Sequence, residues 1–188
     1  TVRIYTYNGT AWSQLGSDLD GESNDVQGIS VSLSSDGTTL AVGAYDHDSK
    51  GTVRIYTYNG TAWTQQGSDL DGESGDRQGQ SVSLSSDGTT LAVGAVNHDN
   101  RKGTVRIYTY NGTAWTQQGS DLDGESTNEN QGKSVSLSSD GTTLAVGAWW
   151  HPIDRKGTVR IYTYNGTAWS QQGSDLDGES TNENQGTS

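Results

Sequence analysis

Short runs in which apolar and polar residues alternate follow one another along the whole chain. In the segment 81–85, Val82 and Leu84 alternate with serines, which is typical of a β-strand with one buried face. The same period of two continues downstream, so the pattern predicts four consecutive strands, at 81–85, 90–95, 104–110 and from 114 to about 122. No stretch shows sustained apolar spacing at three and four residues, and no helix is predicted.

Two kinds of turn separate these strands. Asp87-Gly88 lies between the first and second strands, where glycine supplies the positive φ that a tight turn needs. Asn111-Gly112 lies between the third and fourth strands and predicts a two-residue type I′ turn. The four strands are therefore expected to form an antiparallel meander.

The meander is copied in tandem. The segment TVRIYTYNGTAW occurs four times, and its starts lie 51, 52 and 54 residues apart, at Thr1, Thr52, Thr104 and Thr158. Tandem four-stranded meanders pack face to face as propeller blades, whereas β-solenoid repeats are shorter. We therefore predict an all-β fold, a β-propeller of four-stranded antiparallel blades.

The number of repeats is not whole. The chain holds three first-and-second hairpins but four third-and-fourth hairpins, about three and a half repeats. The predicted divisions are a half-blade and three full blades, at 1–28, 29–79, 80–132 and 133–188. A segment of a longer chain, a ring made by two chains and an open stack of units remain as interpretations. The segment is favoured, because two half-blades of the same kind could not complete each other.

Composition and charge exclude several classes of function. Lys and Arg number 11 against 23 Asp and Glu, and the net charge of −12 argues against a nucleic-acid-binding surface. No apolar stretch approaches the roughly 20 residues that span a bilayer, so no membrane insertion is expected. The absence of Cys excludes thiol chemistry and disulfides. Serines have no base at a fixed offset, and the three histidines lie in loops of unequal length, which predicts no repeated His–carboxylate geometry. We therefore expect no enzyme.

The run SVSLSSDGTTLAVGA followed by GTVRIYTYNGTAW resembles the FG-GAP-like, integrin-α-type propeller repeats of secreted proteins, with WD40-like hairpins as the second choice. The resemblance covers the whole chain and implies an extracellular, non-catalytic propeller used in adhesion or display. The Asp-rich calcium loop of that family is reduced here to Ser-Ser-Asp-Gly, at 34–37, 85–88 and 138–141. One carboxylate cannot supply the oxygen ligands that calcium takes, so we expect this inherited site to be absent.

Each predicted Asn-Gly turn is also a sequon. Asn-Gly-Thr is an N-glycosylation acceptor, and it occurs at Asn8, Asn59, Asn111 and Asn165. The same dipeptide is demanded by a tight turn, so glycan attachment and a purely structural turn remain as alternatives.

The sequence Asp-Leu-Asp-Gly-Glu follows each fourth strand. Alternate residues share one face of an extended backbone, so three carboxylates are expected to project together and to suit Ca²⁺. A solvated acidic loop is the alternative interpretation. The residues are Asp18, Asp20, Glu22, Asp69, Asp71, Glu73, Asp121, Asp123, Glu125, Asp175, Asp177 and Glu179.

The connection between the second and third strands diverges most between copies. It reads YDHDSK, VNHDNRK and WWHPIDRK, and it emerges on the same rim of a propeller as the acidic segments, opposite the sequons. Such drift either has no functional meaning or forms a recognition surface, in which exposed aromatic rings suit sugars or another protein. The candidate residues are Tyr45, His47, His98, Trp149, Trp150 and His151.

These observations predict a non-enzymatic extracellular or cell-surface repeat protein with a structural or adhesive role, in a fibre or in a longer, glycosylated chain. The expected partners are other copies of itself or other extracellular proteins. The alternative is a multivalent carbohydrate-binding propeller. Ca²⁺ is the only cofactor that the residues suggest.

Overall fold

Four antiparallel sheets make up the protein in the computed structural model, which describes residues 1–150 and 156–179. The first sheet has two strands, and we call it the half-blade. It consists of β1 (Tyr5–Tyr7) and β2 (Trp12–Gln14). The other three sheets, blades 1 to 3, have the same strand order, in which consecutive strands pair as a meander.

The strands of the three blades occupy equivalent positions in the repeat. Those of blade 1 are β3 (Ser30–Leu33), β4 (Thr39–Ala44), β5 (Thr52–Tyr58), β6 (Trp63–Gln65) and β7 (Leu70–Asp71). Those of blade 2 are β8 (Gln78–Leu84), β9 (Thr90–Ala95), β10 (Thr104–Tyr110), β11 (Trp115–Gln117) and β12 (Leu122–Asp123). Those of blade 3 are β13 (Gln131–Leu137), β14 (Thr143–Ala148), β15 (Thr158–Tyr164), β16 (Trp169–Gln171) and β17 (Leu176–Asp177). The predicted all-β architecture of four-stranded blades is confirmed.

The fourth strand of each blade is divided into two pieces that both pair with the third strand. In blade 2, β11 and β12 flank Gly119, whose φ of +81° interrupts the extended backbone. The Gln117 amide bridges the interruption by donating to the Gly119 carbonyl and to Asp121. The sequence predicted one continuous strand here. The alternation of apolar and polar residues does not show that a single glycine within the strand has a positive φ.

The core lies between blades. Val82 and Leu84 of blade 2 belong to one buried cluster with Ala41, Val53 and Ile55 of blade 1. The same arrangement recurs between blades 2 and 3 and between the half-blade and blade 1. Because each sheet buries its apolar face against its neighbour, the core is built by the stacking of repeats.

Neighbouring sheets approach each other closely at the second strand. A Cβ atom on Gly94 would overlap the carbonyl oxygen of Gly132 in the next blade. The hydroxyl of Ser81 donates to the same carbonyl at 2.8 Å. Glycine is therefore required at this position by the contact between blades.

One face of blade 1 has no neighbouring hairpin among the residues that the structure describes. Val31 and Leu33 are 53% and 47% exposed, whereas the equivalent Val82 and Leu84 of blade 2 are 9% and 7% exposed. A groove of about 320 Å³ runs along this face, between β3 and the half-blade. The surface that stacks between blades is thus open on this side.

Short helical turns, which the sequence did not predict, occur in two of the variable loops. They are a 3₁₀ turn at His47–Ser49 and a helical turn at His98–Arg101. Both contain residues with positive φ, among them Asp48 and Asp99, so they are compact loop turns without helical periodicity. Within the described residues, no helix has the length and apolar character to cross a membrane.

Candidate functional site

The variable loops and the acidic crossovers between blades lie together on one rim. The Gly75 amide, in the crossover after blade 1, donates to the Ser49 carbonyl of the variable loop at 2.8 Å. Gly51 pairs with Gln78 as an isolated parallel bridge. We call this surface the variable rim.

A buried arginine lies below the variable rim at each junction with a full blade. Arg54 donates through Nη1 to Asp25 at 2.7 Å and to Gln27 at 3.0 Å, and through Nε to Asp69 at 2.8 Å. Asp69 belongs to the same blade, and Asp25 lies in the preceding crossover. The equivalent clusters are Arg106 with Asp76, Gln78 and Asp121, and Arg160 with Glu129, Gln131 and Asp175.

Each arginine in these clusters pairs with more than one carboxylate. Asp25 and Arg54 are both almost completely buried. Burial alone would raise the pKa of Asp25, but the hydrogen bonds from Arg54 and His47 lower it to about 2. The first cluster therefore holds Asp25 ionised, and each cluster links three chain segments across a blade junction.

The histidines do have a repeated carboxylate geometry, so the expectation that they lack one is wrong for His47 and His98. Nδ1 of His47 lies 2.6 Å from Asp25, and Nδ1 of His98 lies 3.0 Å from Asp76. Both histidines stand three residues after the second strand, so the unequal loop length falls entirely after them. The hydrogen bond to Asp25 raises the pKa of His47. His151 lies outside the described residues.

The acidic triplets divide between two junctions. Asp69 and Asp71 come within 4.8 Å of His47, measured between potential ligand atoms, while Glu73 joins Asp76 and His98 at the next junction. The first Asp of each triplet accepts hydrogen bonds from an arginine of its own sheet, at Asp18, Asp69, Asp121 and Asp175.

The other acidic residues of the triplets have varied contacts. Asp20 accepts a hydrogen bond from the Thr1 hydroxyl. Asp123 lies with Asp121 near His98. Glu22 and Glu125 contact Arg54 and Arg160, and Asp177 pairs with Thr158.

The sequons lie in exposed loops at the opposite ends of the strands. The Asn8 side-chain oxygen accepts hydrogen bonds from the amides of Thr10 and Ala11, both at 2.9 Å. Four residues separate the paired Tyr7 and Trp12, so the predicted two-residue type I′ turn is wrong. The same side-chain contacts recur at Asn59, Asn111 and Asn165, which explains the asparagine without a glycan.

Aromatic residues of the variable loops contact the crossovers between blades. Tyr45 of blade 1 contacts the crossover that leads into blade 2, and Trp149 of blade 3 contacts the crossover that leads into blade 3. The guanidinium of Arg77 lies over the Tyr45 ring, 5.4 Å from its centroid. The Trp149 indole donates to Asn130 at 2.9 Å and stays 39% exposed. Trp150 meets Trp149 edge to face, with 6.4 Å between ring centroids.

A cavity of about 310 Å³ opens on the variable rim between blades 2 and 3. Every residue that lines it stands at a position that differs between copies of the repeat. Three of these residues are cationic, and they are Arg77, Arg101 and Lys133. The lining of this cavity is therefore particular to this junction and is not repeated along the chain.

Neither the arginine clusters nor this cavity was predicted from the sequence. The signal for the clusters was an acidic residue two positions before Gln78 and its equivalents, as in Asp76-Arg77-Gln78-Gly79. The signal for the cavity was substitution within the crossover, where Gln80 is replaced by Lys133 at the equivalent position of the next copy.

Comparison with known proteins supports the fold. Residues 63–109 match the FG-GAP repeat, which confirms the resemblance seen in the sequence. This span runs from the fourth strand of blade 1 to the third strand of blade 2. No curated protein matches the chain.

Solved structures show the same architecture at low sequence identity. TolB from Acinetobacter baumannii aligns with a TM-score of 0.53 and 13% identity, over 90% of this chain and 37% of that one. A proposed 6-phosphogluconolactonase from Bacteroides fragilis NCTC 9343 aligns with a TM-score of 0.57 and 14% identity, over 78% of this chain and 38% of that one. A hypothetical selenium-binding protein from Sulfolobus tokodaii aligns with a TM-score of 0.54 and 13% identity, over 74% and 38%. The chain spans about two fifths of each, and the predicted β-propeller fold is confirmed.

Proposed function

We propose that this chain, which carries an FG-GAP repeat at residues 63–109, is a non-enzymatic extracellular scaffold with a structural or adhesive role. The observation that supports the proposal is that each blade buries its apolar face against a neighbouring repeat. Val31 and Leu33 offer to solvent the surface that the repeat elsewhere buries against another repeat. FG-GAP repeats are typical of extracellular proteins, which supports the location.

The occupant that suits the open face is a first-and-second hairpin of the same repeat type. Between blades 1 and 2, that hairpin supplies Ala41 to the shared core, and its Ser32 hydroxyl accepts a hydrogen bond from the Leu84 amide. Another FG-GAP repeat, in a second copy or in a longer chain, would bury Leu33 in the same way. Stacking of like units is the physical basis of the structural role.

Sedimentation velocity over a concentration series tests this proposal. We expect association that the Leu33→Lys variant abolishes, because a charge cannot be buried in the stacking surface. Leu176→Lys is the matched control, since Leu176 is equally exposed but lies outside the groove. A chain that stays monomeric at all concentrations, and gains no stability when a further hairpin is fused before Thr1, contradicts the proposal.

Carbohydrate binding is the second candidate function. The observation in its favour is Trp149, whose indole is held by Asn130 and exposed beside the cavity on the variable rim. Aromatic rings with a fixed orientation and a free face are suited to stacking against sugars. A glycan array tests this function, and filaments without glycan binding would favour the scaffold alone.

Calcium binding by the acidic segments is a separate proposal. It rests on Asp69, Asp71 and His47, whose potential ligand atoms lie close enough to bind one cation. Asp69 already accepts a hydrogen bond from Arg54. If Ca²⁺ binds there, Ca²⁺ raises Tm in the wild type and raises it by less in Asp71→Asn, because the equivalent group at His98, Asp121 and Asp123 remains. An identical Tm in Ca²⁺ and in EDTA contradicts the proposal.

Glycan attachment at the four sequons is proposed for a eukaryotic secretory source. The asparagine residues are exposed, and the contacts that shape the loop use the side-chain oxygen of Asn8 and leave its amide nitrogen free of these bonds. The intact mass before and after glycosidase treatment tests the proposal, and an unchanged mass contradicts it.

A further inference from the structure

Five of the 11 Lys and Arg of this acidic chain form ion pairs that hold the blades and loops together. The third-strand arginines pair with carboxylates in every copy, as Arg106 does with Asp76 and Asp121. Lys102 pairs with Asp99 at 2.7 Å. These cations are therefore not available for binding another molecule.

Three cations that the folding contacts do not use meet at the cavity between blades 2 and 3. Arg77, Arg101 and Lys133 all line it, and none has a carboxylate partner among the described residues. The only interaction of the Arg77 guanidinium in that part of the chain is with the Tyr45 ring. A concave site with one sign of charge attracts the opposite charge, so the cavity favours an anion.

The repeat itself does not require these charges. At the position of Lys133 the other copies carry Ile29 and Gln80, and at the position of Arg77 the first copy carries Val26. In all three copies a first strand that ends at the equivalent leucine follows this crossover, although it is shorter in blade 1. Because the scaffold tolerates uncharged residues there, the cations at this junction serve something other than folding.

The rest of the cavity suits a sugar. Trp149 supplies an exposed aromatic face, and Asn97 and Asn130 supply side-chain amides that can donate and accept hydrogen bonds. A volume of about 310 Å³ is at the low end of the range for small-ligand sites. A nucleic acid would need an extended basic face, which a chain of net charge −12 does not offer.

We propose that the cavity lined by Arg77, Arg101, Lys133 and Trp149 binds an anionic sugar, one that carries a carboxylate or a sulfate ester. The guanidinium and ammonium groups hold the anionic group, and the indole covers the apolar face of the ring. This inference deepens the carbohydrate-binding alternative and rests on it. The scaffold proposal is tested separately by the Leu33 variant, so either can fail alone.

Titration calorimetry with three methyl glycosides tests the site directly. Methyl β-D-glucuronide carries the carboxylate, methyl β-D-glucoside 6-sulfate carries the sulfate, and methyl β-D-glucoside is the neutral control. We expect a Kd on the order of 1 mM for an anionic glycoside, as befits a single sugar, and binding at least about 10-fold weaker for the neutral one. If only one anionic glycoside binds, that result identifies the anionic group.

A double variant, in which one substitution is taken from another copy of the repeat, makes the test specific. Lys133→Gln introduces the residue of the preceding copy, and combined with Arg101→Gln it is expected to weaken binding at least about 10-fold. Lys50→Gln is the matched control, because Lys50 is an exposed cation in a variable loop that does not line the cavity. Far-UV circular dichroism of each variant confirms that the fold is intact.

Several outcomes would overturn the proposal. One is equal binding of the neutral and anionic glycosides, and another is the absence of binding by any of the three. A third is that Lys50→Gln weakens binding as much as the double variant. A fourth is that inorganic sulfate binds as tightly as the glycosides, which would show a bare anion site without sugar recognition.

Discussion

The half-blade and blade 2 contain the same twelve residues, TVRIYTYNGTAW, in different surroundings. Trp12 of the half-blade is 70% exposed, and the equivalent Trp115 of blade 2 is 8% exposed. Within the described part of the chain, the exposed Arg3 pairs only with Asp18, whereas the buried Arg106 pairs with Asp76 as well as Asp121. Sequence is constant here, so the neighbouring repeat must account for the difference.

This comparison separates what a repeat provides from what its neighbour provides. The unit encodes its strands, its turns and one ion pair, as the Arg3–Asp18 pair shows. The preceding repeat provides the cover for the tryptophan and the second carboxylate of the arginine cluster. The same substitution can therefore be made at equivalent positions of two copies, which share their local sequence but differ in their neighbours.

The tryptophan pair is expected to give the largest difference in stability. Trp115→Ala leaves a cavity in the core between blades and should cost about 3–5 kcal/mol of the free energy of unfolding. Trp12→Ala removes a ring that packs mainly on Tyr7, so its cost should be about 1 kcal/mol. Urea unfolding of both variants measures the difference, and equal costs would mean that stacking does not bury the ring.

The pair Arg106 and Arg3 is expected to give the second-largest difference in stability. Arg106→Gln leaves Asp76 buried without its cation, and breaking such a pair typically costs about 3–5 kcal/mol, with the polar glutamine reducing the loss toward the lower value. Arg3→Gln breaks only an exposed ion pair, and we expect little change in urea unfolding. Comparable losses at both positions would contradict a special role for the crossover carboxylate.

The pH dependence of the free energy of unfolding should also distinguish the crossover carboxylates from the exposed ones. We expect this effect to be smaller than those of the tryptophan and arginine variants. The pKa of Asp25 is lowered from 3.8 to about 2, so its contribution is present above pH 4 and is lost as the pH falls through about 2. That contribution is about 2 kcal/mol, and Asp25→Asn should remove it. Urea unfolding at pH 2 to 5 measures this loss, and an unchanged acid dependence in Asp25→Asn would contradict it.

His47 adds a dependence of opposite sign. Its pKa is raised by Asp25, so its contribution is present below about pH 6.5 and is lost as the pH rises through the raised value. His47→Gln should flatten the unfolding free energy between pH 6 and 8. A wild-type stability that increases over that interval would contradict the assignment.

Much of the fold could be predicted because it is local. The alternation in Thr90–Ala95 and Thr104–Tyr110 gave strands with the observed bounds, and the repeat gave the blades. The first strand of blade 2 begins earlier than predicted, at Gln78, because Gln78 pairs with Ala95 across a bulge. A bulge does not follow the period of two, so the pattern could not reveal this residue.

The candidate site could be predicted only in part, because its contacts cross between repeats. The sequence placed the variable loops beside the acidic segments, and His47 does lie among Asp25 and Asp69. It did not reveal that Arg106 joins Asp76 to Asp121, which lie 30 residues before and 15 residues after it. Such a pairing depends on how two sheets stack, which no single unit encodes.

Native-state hydrogen exchange measured by NMR tests the central claim, that stacking on a neighbour sets the stability of each repeat. Four equivalent amides make the same backbone hydrogen bond at 2.7–2.8 Å, and they belong to Leu15, Gln66, Gln118 and Gln172. The account predicts the strongest protection at Gln118, in the blade flanked on both sides, and the weakest at Leu15, in the half-blade. Equal protection at all four amides would contradict it.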